Sequence, residues 1–202
     1  MASALFVLVA YLIGSISFAV VVSWGFGLPD PHTYGSGNPG ATNVLRTGKK
    51  AAAVLTLIGD AAKGAIALWL AQQFAPRFGV GEPALAAVAL AAFLGHLFPL
   101  YFHFRGGKGV ATAAGILLAI DWRIALTLLV VWVLVAVISR YSSLAAIVTA
   151  TLSPLAAFHF LGWVPMTWSV LMLAVLLVWR HRANIERLLS GNESRIRLSR
   201  RS

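Results

Sequence analysis

The chain has 202 residues, of which 59% are hydrophobic and only 11% charged. An average soluble protein carries roughly 25% charged residues, so there is too little polar surface here for a soluble globule. Sixteen basic against six acidic residues give a net charge of +10, which in a chain this apolar points to a membrane protein with an anionic partner. Cysteine is absent, which excludes disulfides, a thiolate nucleophile and Cys-ligated metals.

A membrane-spanning helix needs about 20 predominantly apolar residues. In chain order, residues 4–24, 51–74, 84–101, 124–138, 144–161 and 166–179 meet or nearly meet that length, and 110–120 is a shorter apolar run. No Lys or Arg precedes the first segment and no Ala-x-Ala site follows it, so a retained span is expected instead of a cleaved leader. Charge placement decides between six and seven spans. With seven, Arg46, Lys49, Lys50, Arg105, Lys108, Arg140 and the seven Arg from Arg180 onward share one side, while Arg77 and Arg123 take the other. That split of thirteen to two is what the positive-inside rule requires. The expected fold is all-α, with seven transmembrane helices forming a single integral-membrane domain over residues 1–202. Its N-terminus lies outside and its C-terminus in the cytoplasm.

Three polar segments then reach the cytoplasmic face: 28–50, 105–112 and 180–197. The first contains GSGNPGATNVLR, residues 35–46. Its glycines leave backbone N–H groups unshielded and free to adopt positive φ. Ser36, Asn38, Thr42 and Asn43 add short polar side chains, and Arg46 a planar fork suited to phosphate. A tight loop entering a helix, capped by Thr42 or Asn43, accounts for Gly and Asn taken singly. It does not account for an Arg46 that no acid within 35–46 offsets, for which an anion is the simplest partner.

The second segment, FRGGKGVAT at 104–112, sets Gly106, Gly107, Lys108 and Gly109 directly before an apolar helix, whose free N–H groups and dipole favour phosphate. The Walker A spacing is missing, so ATP or GTP hydrolysis is not expected. A positive-inside turn explains Arg105 and Lys108 but not three glycines. The third segment should continue the last span as a helix, with His181 and Asn184 one turn apart on one face. An ordinary basic tail that binds anionic lipid accounts for the Arg residues from Arg195 to Arg201 more readily than for His181 and Asn184. His96 and Pro99 read either as helix-packing residues or as a support beneath the Gly-rich turn. Asp60 and Lys63, three apart in the second span, most simply neutralise one another, although intramembrane ionisable groups are often functional. His32, His103 and His159 show no metal-ligand spacing, and no metal site is expected.

Taken together, residues 35–46, Gly95-His96 through Phe98-Pro99, residues 104–112, and His181, Asn184, Arg187, Gly191 and Glu193 resemble the PlsY family, the acyl-phosphate-dependent glycerol-3-phosphate acyltransferases of bacterial membranes. Order, spacing and flanking spans match along nearly the whole chain. The chain departs from the pattern at Ser17, where many relatives have Pro, and at His32, where many have Arg.

The resemblance implies transfer of a fatty acyl group from acyl phosphate to the 1-position of glycerol 3-phosphate. The products would be lysophosphatidic acid and phosphate, in the first step of bacterial phospholipid synthesis. It implies a catalytic set of Ser36, Arg46, Lys108, His181 and Asn184, with Asn38, Thr42, Asn43, Gly106, Gly107 and Gly109 binding substrate and His96 and Glu193 structural. No cofactor and no nucleic acid are implied. The implied location is the bacterial inner membrane with the site facing the cytoplasm, in contact with membrane lipid and open to contact with the enzyme that makes acyl phosphate. Both substrates carry phosphate, which suits a site rich in cations and N–H donors, and an activated acyl donor needs neither Cys nor a Ser-His-Asp triad. A transporter of an organic phosphate would share the basic loops but would want polar groups near the midplane and an internal repeat, and only Asp60 and Lys63 fit. A purely structural membrane subunit would not need three polar clusters on one face.

Overall fold

The computed structural model describes residues 1–196, and among these all regular structure is helical. The α-helices are α1 (Ala2–Gly14), α2 (Phe18–Gly25), α3 (Ala41–Leu45), α4 (Lys50–Phe74), α5 (Glu82–Leu97), α6 (Val110–Ile120), α7 (Trp122–Ser139), α8 (Ser142–Leu161), α9 (Pro165–Arg180) and α10 (Arg182–Leu189). Short 3₁₀ turns, Ala75–Phe78 and Leu100–Phe102, extend α4 and follow α5. Among the described residues five stretches are long and apolar enough to cross a membrane: Ala2–Gly25, Lys50–Phe78, Glu82–Phe102, Trp122–Ser139 and Ser142–Leu161. Val110–Ile120 and Pro165–Arg180 are apolar but shorter. Large apolar side chains such as Leu126, Val133, Val137 and Ile138 of α7 are exposed, a surface that suits lipid and not water.

The helices cluster into two compact units, Met1–Trp122 and the described residues from Arg123 onward. Within the first, α4 packs on α6 and α1 on α5; within the second, α8 packs on α9, with α10 touching both. Glycines set the first unit's spacing. A Cβ on Gly115 would strike the Ala61 carbonyl, one on Gly64 the Thr112 carbonyl, and one on Gly14 or Gly95 the backbone of the facing helix. With lipid as solvent, such close backbone approach is what drives helix association.

Two of the expected elements are interrupted. The apolar run 4–24 breaks between α1 and α2, where Ser17 adopts an extended conformation and the Ser15 hydroxyl donates to the Tyr11 carbonyl (2.8 Å). Hydroxyls that compete for backbone acceptors weaken a helix at such points. The break frees the Ile16 carbonyl, which accepts a bond from the Lys63 ammonium. The tail likewise does not run on from the last span: the chain leaves helical geometry at His181 (φ −93°, ψ 6°) and restarts as α10.

Candidate active site

The loop before α3 is built around Asn43. Buried in the first turn of its helix, Asn43 accepts from the Ser36 amide through Oδ1 (3.0 Å). Its Nδ2 donates to the carbonyls of Pro31 (2.9 Å) and Tyr34 (3.1 Å). The cap expected of Thr42 or Asn43 is instead Gly40, in an extended conformation. Asn43 folds the loop over its own helix from within. Gly35 (φ +59°) must lack a Cβ there, because one would meet Asn43 Oδ1 and, at 3.1 Å, the Arg46 side chain. The consequence is outward presentation: Ser36, Thr42 and Arg46 are exposed, and Asn38 is half-buried.

The second loop folds back onto the end of α5. His103 and Phe104 turn the chain with positive φ, and the Gly107 amide donates to the His96 carbonyl (3.2 Å). A Cβ on Gly106 would collide with the His96 and Leu97 carbonyls. One on Gly107 would strike the His96 ring and lie 2.9 Å from the Pro39 carbonyl, and one on Gly109 would strike Phe93. The glycines therefore let the turn lie flat on α5 and against the first loop. Gly109 (φ +86°) caps α6, half-buried Lys108 precedes it, and the first amides of α6 open beside them. His96 thus lies against the turn through both its carbonyl and its ring.

A second contact joins these loops, and sequence reasoning missed it. His32 Nδ1 lies 2.7 Å from Asp30 Oδ1, and His32 Nε2 lies 2.7 Å from the Arg105 carbonyl. The available signal was Asp30 two residues ahead, whose carboxylate also accepts the His32 amide (2.9 Å). Partial burial pushes the Asp30 carboxyl up; the His32 amide and ring and the Arg105 charge outweigh it and hold the group below its ordinary value.

In the second unit, His181 is buried at the α9–α10 break, with Nδ1 2.8 Å from the Leu177 carbonyl. Its own carbonyl accepts from the Asn184 amide (2.8 Å), so the one-turn spacing expected of the pair is kept by α10 alone. Asn184 is also buried and donates through Nδ2 to Glu193 Oε1 (2.6 Å). Ser143 of α8 donates to the same oxygen (2.7 Å), and Arg187 Nε to Oε2 (2.7 Å). Glu193 returns to α10 because Gly191 (φ +73°) reverses the chain: Asn192 N donates to Arg187 O and Gly191 N to Leu188 O, a Schellman closure. Burial alone pushes the Glu193 carboxyl up, but these three donors and the Arg187 charge hold it below its ordinary value. Ser143, on a helix far off in sequence, carried no signal that would pair it with Glu193.

Arg46, Lys108, the first amides of α6 and the Ser36 hydroxyl supply positive charge and hydrogen-bond donors, the chemistry that binds a phosphate ester. Among the described residues no group of three or more His, Cys, Asp or Glu could hold a metal ion.

A family model described as glycerol-3-phosphate acyltransferase matches residues 4–191. The chain belongs to the glycerol-3-phosphate acyltransferase family. The family expected from the three motifs is the one found. A glycerol-3-phosphate acyltransferase of Cupriavidus necator is 63% identical over 198 residues, 97% of each chain. Another, of Ralstonia pickettii, is 61% identical over 195 residues, 96% of this chain and 94% of the relative. The fold matches the crystal structure of PlsY, an integral membrane glycerol 3-phosphate acyltransferase, in its glycerol 3-phosphate form, with a TM-score of 0.89 at 38% identity over 96% of both chains. The lysophosphatidic acid form of PlsY matches with a TM-score of 0.88, also at 38% identity, over 96% of this chain and 95% of that one. As a member of this acyltransferase family, the chain is an integral membrane enzyme of lipid biosynthesis.

Proposed function

We propose that this chain moves a fatty acyl group from acyl phosphate to the 1-hydroxyl of glycerol 3-phosphate, releasing lysophosphatidic acid and inorganic phosphate. The observation that carries the reading is the joining of two basic, glycine-rich loops, with the Pro39 carbonyl against Gly107 and His32 bonded to Arg105. Loops joined in this way can present Arg46 and Lys108 to substrates that both carry phosphate. PlsY has been crystallised in glycerol 3-phosphate and lysophosphatidic acid forms, which are the acceptor and product of this reading.

In the reaction, the acceptor hydroxyl oxygen bonds to the acyl carbonyl carbon, the bond from that carbon to the phosphate oxygen breaks, and the hydroxyl proton passes to a base. Phosphate leaves carrying the negative charge. Arg46 and Lys108 offset that charge, and the turn 106–109 holds the acceptor phosphate. Ser36, Asn38 and Thr42 add hydrogen bonds to substrate. Asn43, whose amide is committed to its own loop, positions Ser36. His181 Nε2 or the acceptor's own phosphate takes the proton, and Asn184 orients the acceptor with its amide pinned by Glu193. The chain has no Cys, and an acyl phosphate is already activated, so direct transfer needs no acyl-enzyme.

The whole chain acts as one acyltransferase domain with seven spans, the two shorter apolar helices α6 and α9 included. Its N-terminus lies outside, and its site faces the cytoplasm at the bacterial inner membrane, where the acyl-phosphate-producing enzyme can reach it. The deciding experiment measures phosphate release by the purified protein in detergent. Release should require both a long-chain acyl phosphate and glycerol 3-phosphate. Turnover with acyl thioesters in place of acyl phosphate would overturn the donor assignment, and release without glycerol 3-phosphate would make the protein a phosphatase.

A further inference from the structure

Asp60, Lys63 and His96 form a buried cluster inside the first unit, and the chemistry above leaves Asp60 and Lys63 without a task. Lys63 Nζ lies 2.9 Å from Asp60 Oδ1, and His96 Nδ1 approaches the same oxygen at 3.6 Å. The Lys63 ammonium also bonds the Ile16 carbonyl freed by the break between α1 and α2. Desolvating a buried ion pair can cost as much as the pair returns, and well-packed apolar side chains often hold helices at least as firmly. Ionisable groups within spanning helices generally mark function.

The geometry leads from this pair to the glycine-rich turn. One edge of the His96 ring faces Asp60, and the other lies where a Cβ of Gly107 would be. The His96 carbonyl holds the Gly107 amide, and Gly107 abuts Pro39 of the first loop. We propose that Asp60 and Lys63 are positioning residues for the acceptor phosphate: the pair fixes the His96 imidazole, and His96 fixes the height and tilt of the turn that carries Lys108. This rests on the reading of the turn 106–109 as the acceptor-phosphate site.

The test is steady-state phosphate release, with glycerol 3-phosphate and a long-chain acyl phosphate varied in turn. Asp60→Asn alone would strand a buried ammonium and risk unfolding, so the pair is removed as the charge-neutral Asp60→Asn/Lys63→Met. The expected result is a rise in KM for glycerol 3-phosphate of about tenfold, well within what a misplaced binding group costs. KM for acyl phosphate should stay near wild type. His96→Gln, which leaves the ion pair intact, should raise the same KM, and adding it to the double variant should produce little further rise, because the groups act in series. A merely structural pair would lower the melting temperature without this split between substrates.

A wild-type KM for glycerol 3-phosphate in folded Asp60→Asn/Lys63→Met or in His96→Gln overturns the proposal. If Gly107→Ala raises that KM at the same time, the turn remains the acceptor site and only the positioning role falls. If all three changes raise KM for acyl phosphate alone, the reading of the turn as the acceptor site fails, and the positioning role for the acceptor phosphate falls with it.

Discussion

His181 Nδ1 faces the Leu177 carbonyl oxygen, an atom that only accepts, so this nitrogen carries a proton in either charge state. If His181 is the base, Nε2 is therefore the nitrogen that takes the proton. His181→Asn retains a donor close to the position of Nδ1 while deleting Nε2. If Nε2 is the base, the substitution should cost about 10²–10⁴-fold in rate. It should also abolish the acid limb of the kcat/KM profile, since a base works only when unprotonated. An acid limb that survives assigns the proton to the acceptor phosphate, whose second ionisation falls near about pH 6. Glu193 calls for a different measurement. Its folded carboxyl is held below the ordinary value, so its stabilisation is full above the unfolded pKa and is lost as pH falls through the folded one. Glu193→Gln should cost on the order of 1–3 kcal/mol near neutral pH, and thermal melts of the two proteins should converge in acid. A constant gap across that range would show that the carboxylate charge is not what Ser143, Asn184 and Arg187 hold.

At the scale of elements, glycine spacing decides which helices touch. Gly115 of α6 lies against the Ala61 carbonyl of α4, whereas the adjacent Ala114 is exposed. Gly115→Ala forces the helices apart and should destabilise by about 1–3 kcal/mol, the usual cost of overpacking, with a lower melting temperature in detergent. Ala114→Leu, on the outer face, should leave the melt unchanged; equal effects of the two would mean that close approach does not hold α4 to α6. Close approach also shapes the glycine-rich turn. Its glycines invite the reading that bare backbone approaches phosphate, and a Cβ on Gly107 would in addition meet His96 and Pro39. The small size of Gly107 thus also serves the seating of the turn, which only its tertiary neighbours reveal. The interruptions at Ser17 and His181 were illegible for a related reason: hydropathy registers apolar length, and a break stabilised by a distant Lys63 leaves the apolar count unchanged.

At the scale of the whole molecule, thirteen basic residues on one side against two on the other predict the orientation. A reporter fused after Ser202 should read cytoplasmic, and a tag before Met1 should be accessible from outside; a cytoplasmic N-terminus would overturn the seven-span topology. The sequence by itself determined the membrane class, the all-helical fold and the family. Those depend on composition, on apolar runs and on three motifs whose residues are close neighbours along the chain. It also singled out Ser36, Arg46 and Lys108 as polar or cationic groups in glycine-rich loops, and His181 and Asn184 as a pair one helical turn apart after the last span. Only the tertiary structure decided what holds them. Asn43 turns inward to staple its own loop, His32 reaches Arg105, and Glu193 meets Ser143 fifty residues away. Asp60, which most simply neutralises Lys63, also faces His96. These are contacts between segments distant in sequence, and their partners are set by helix packing and burial, which no local pattern of residues encodes.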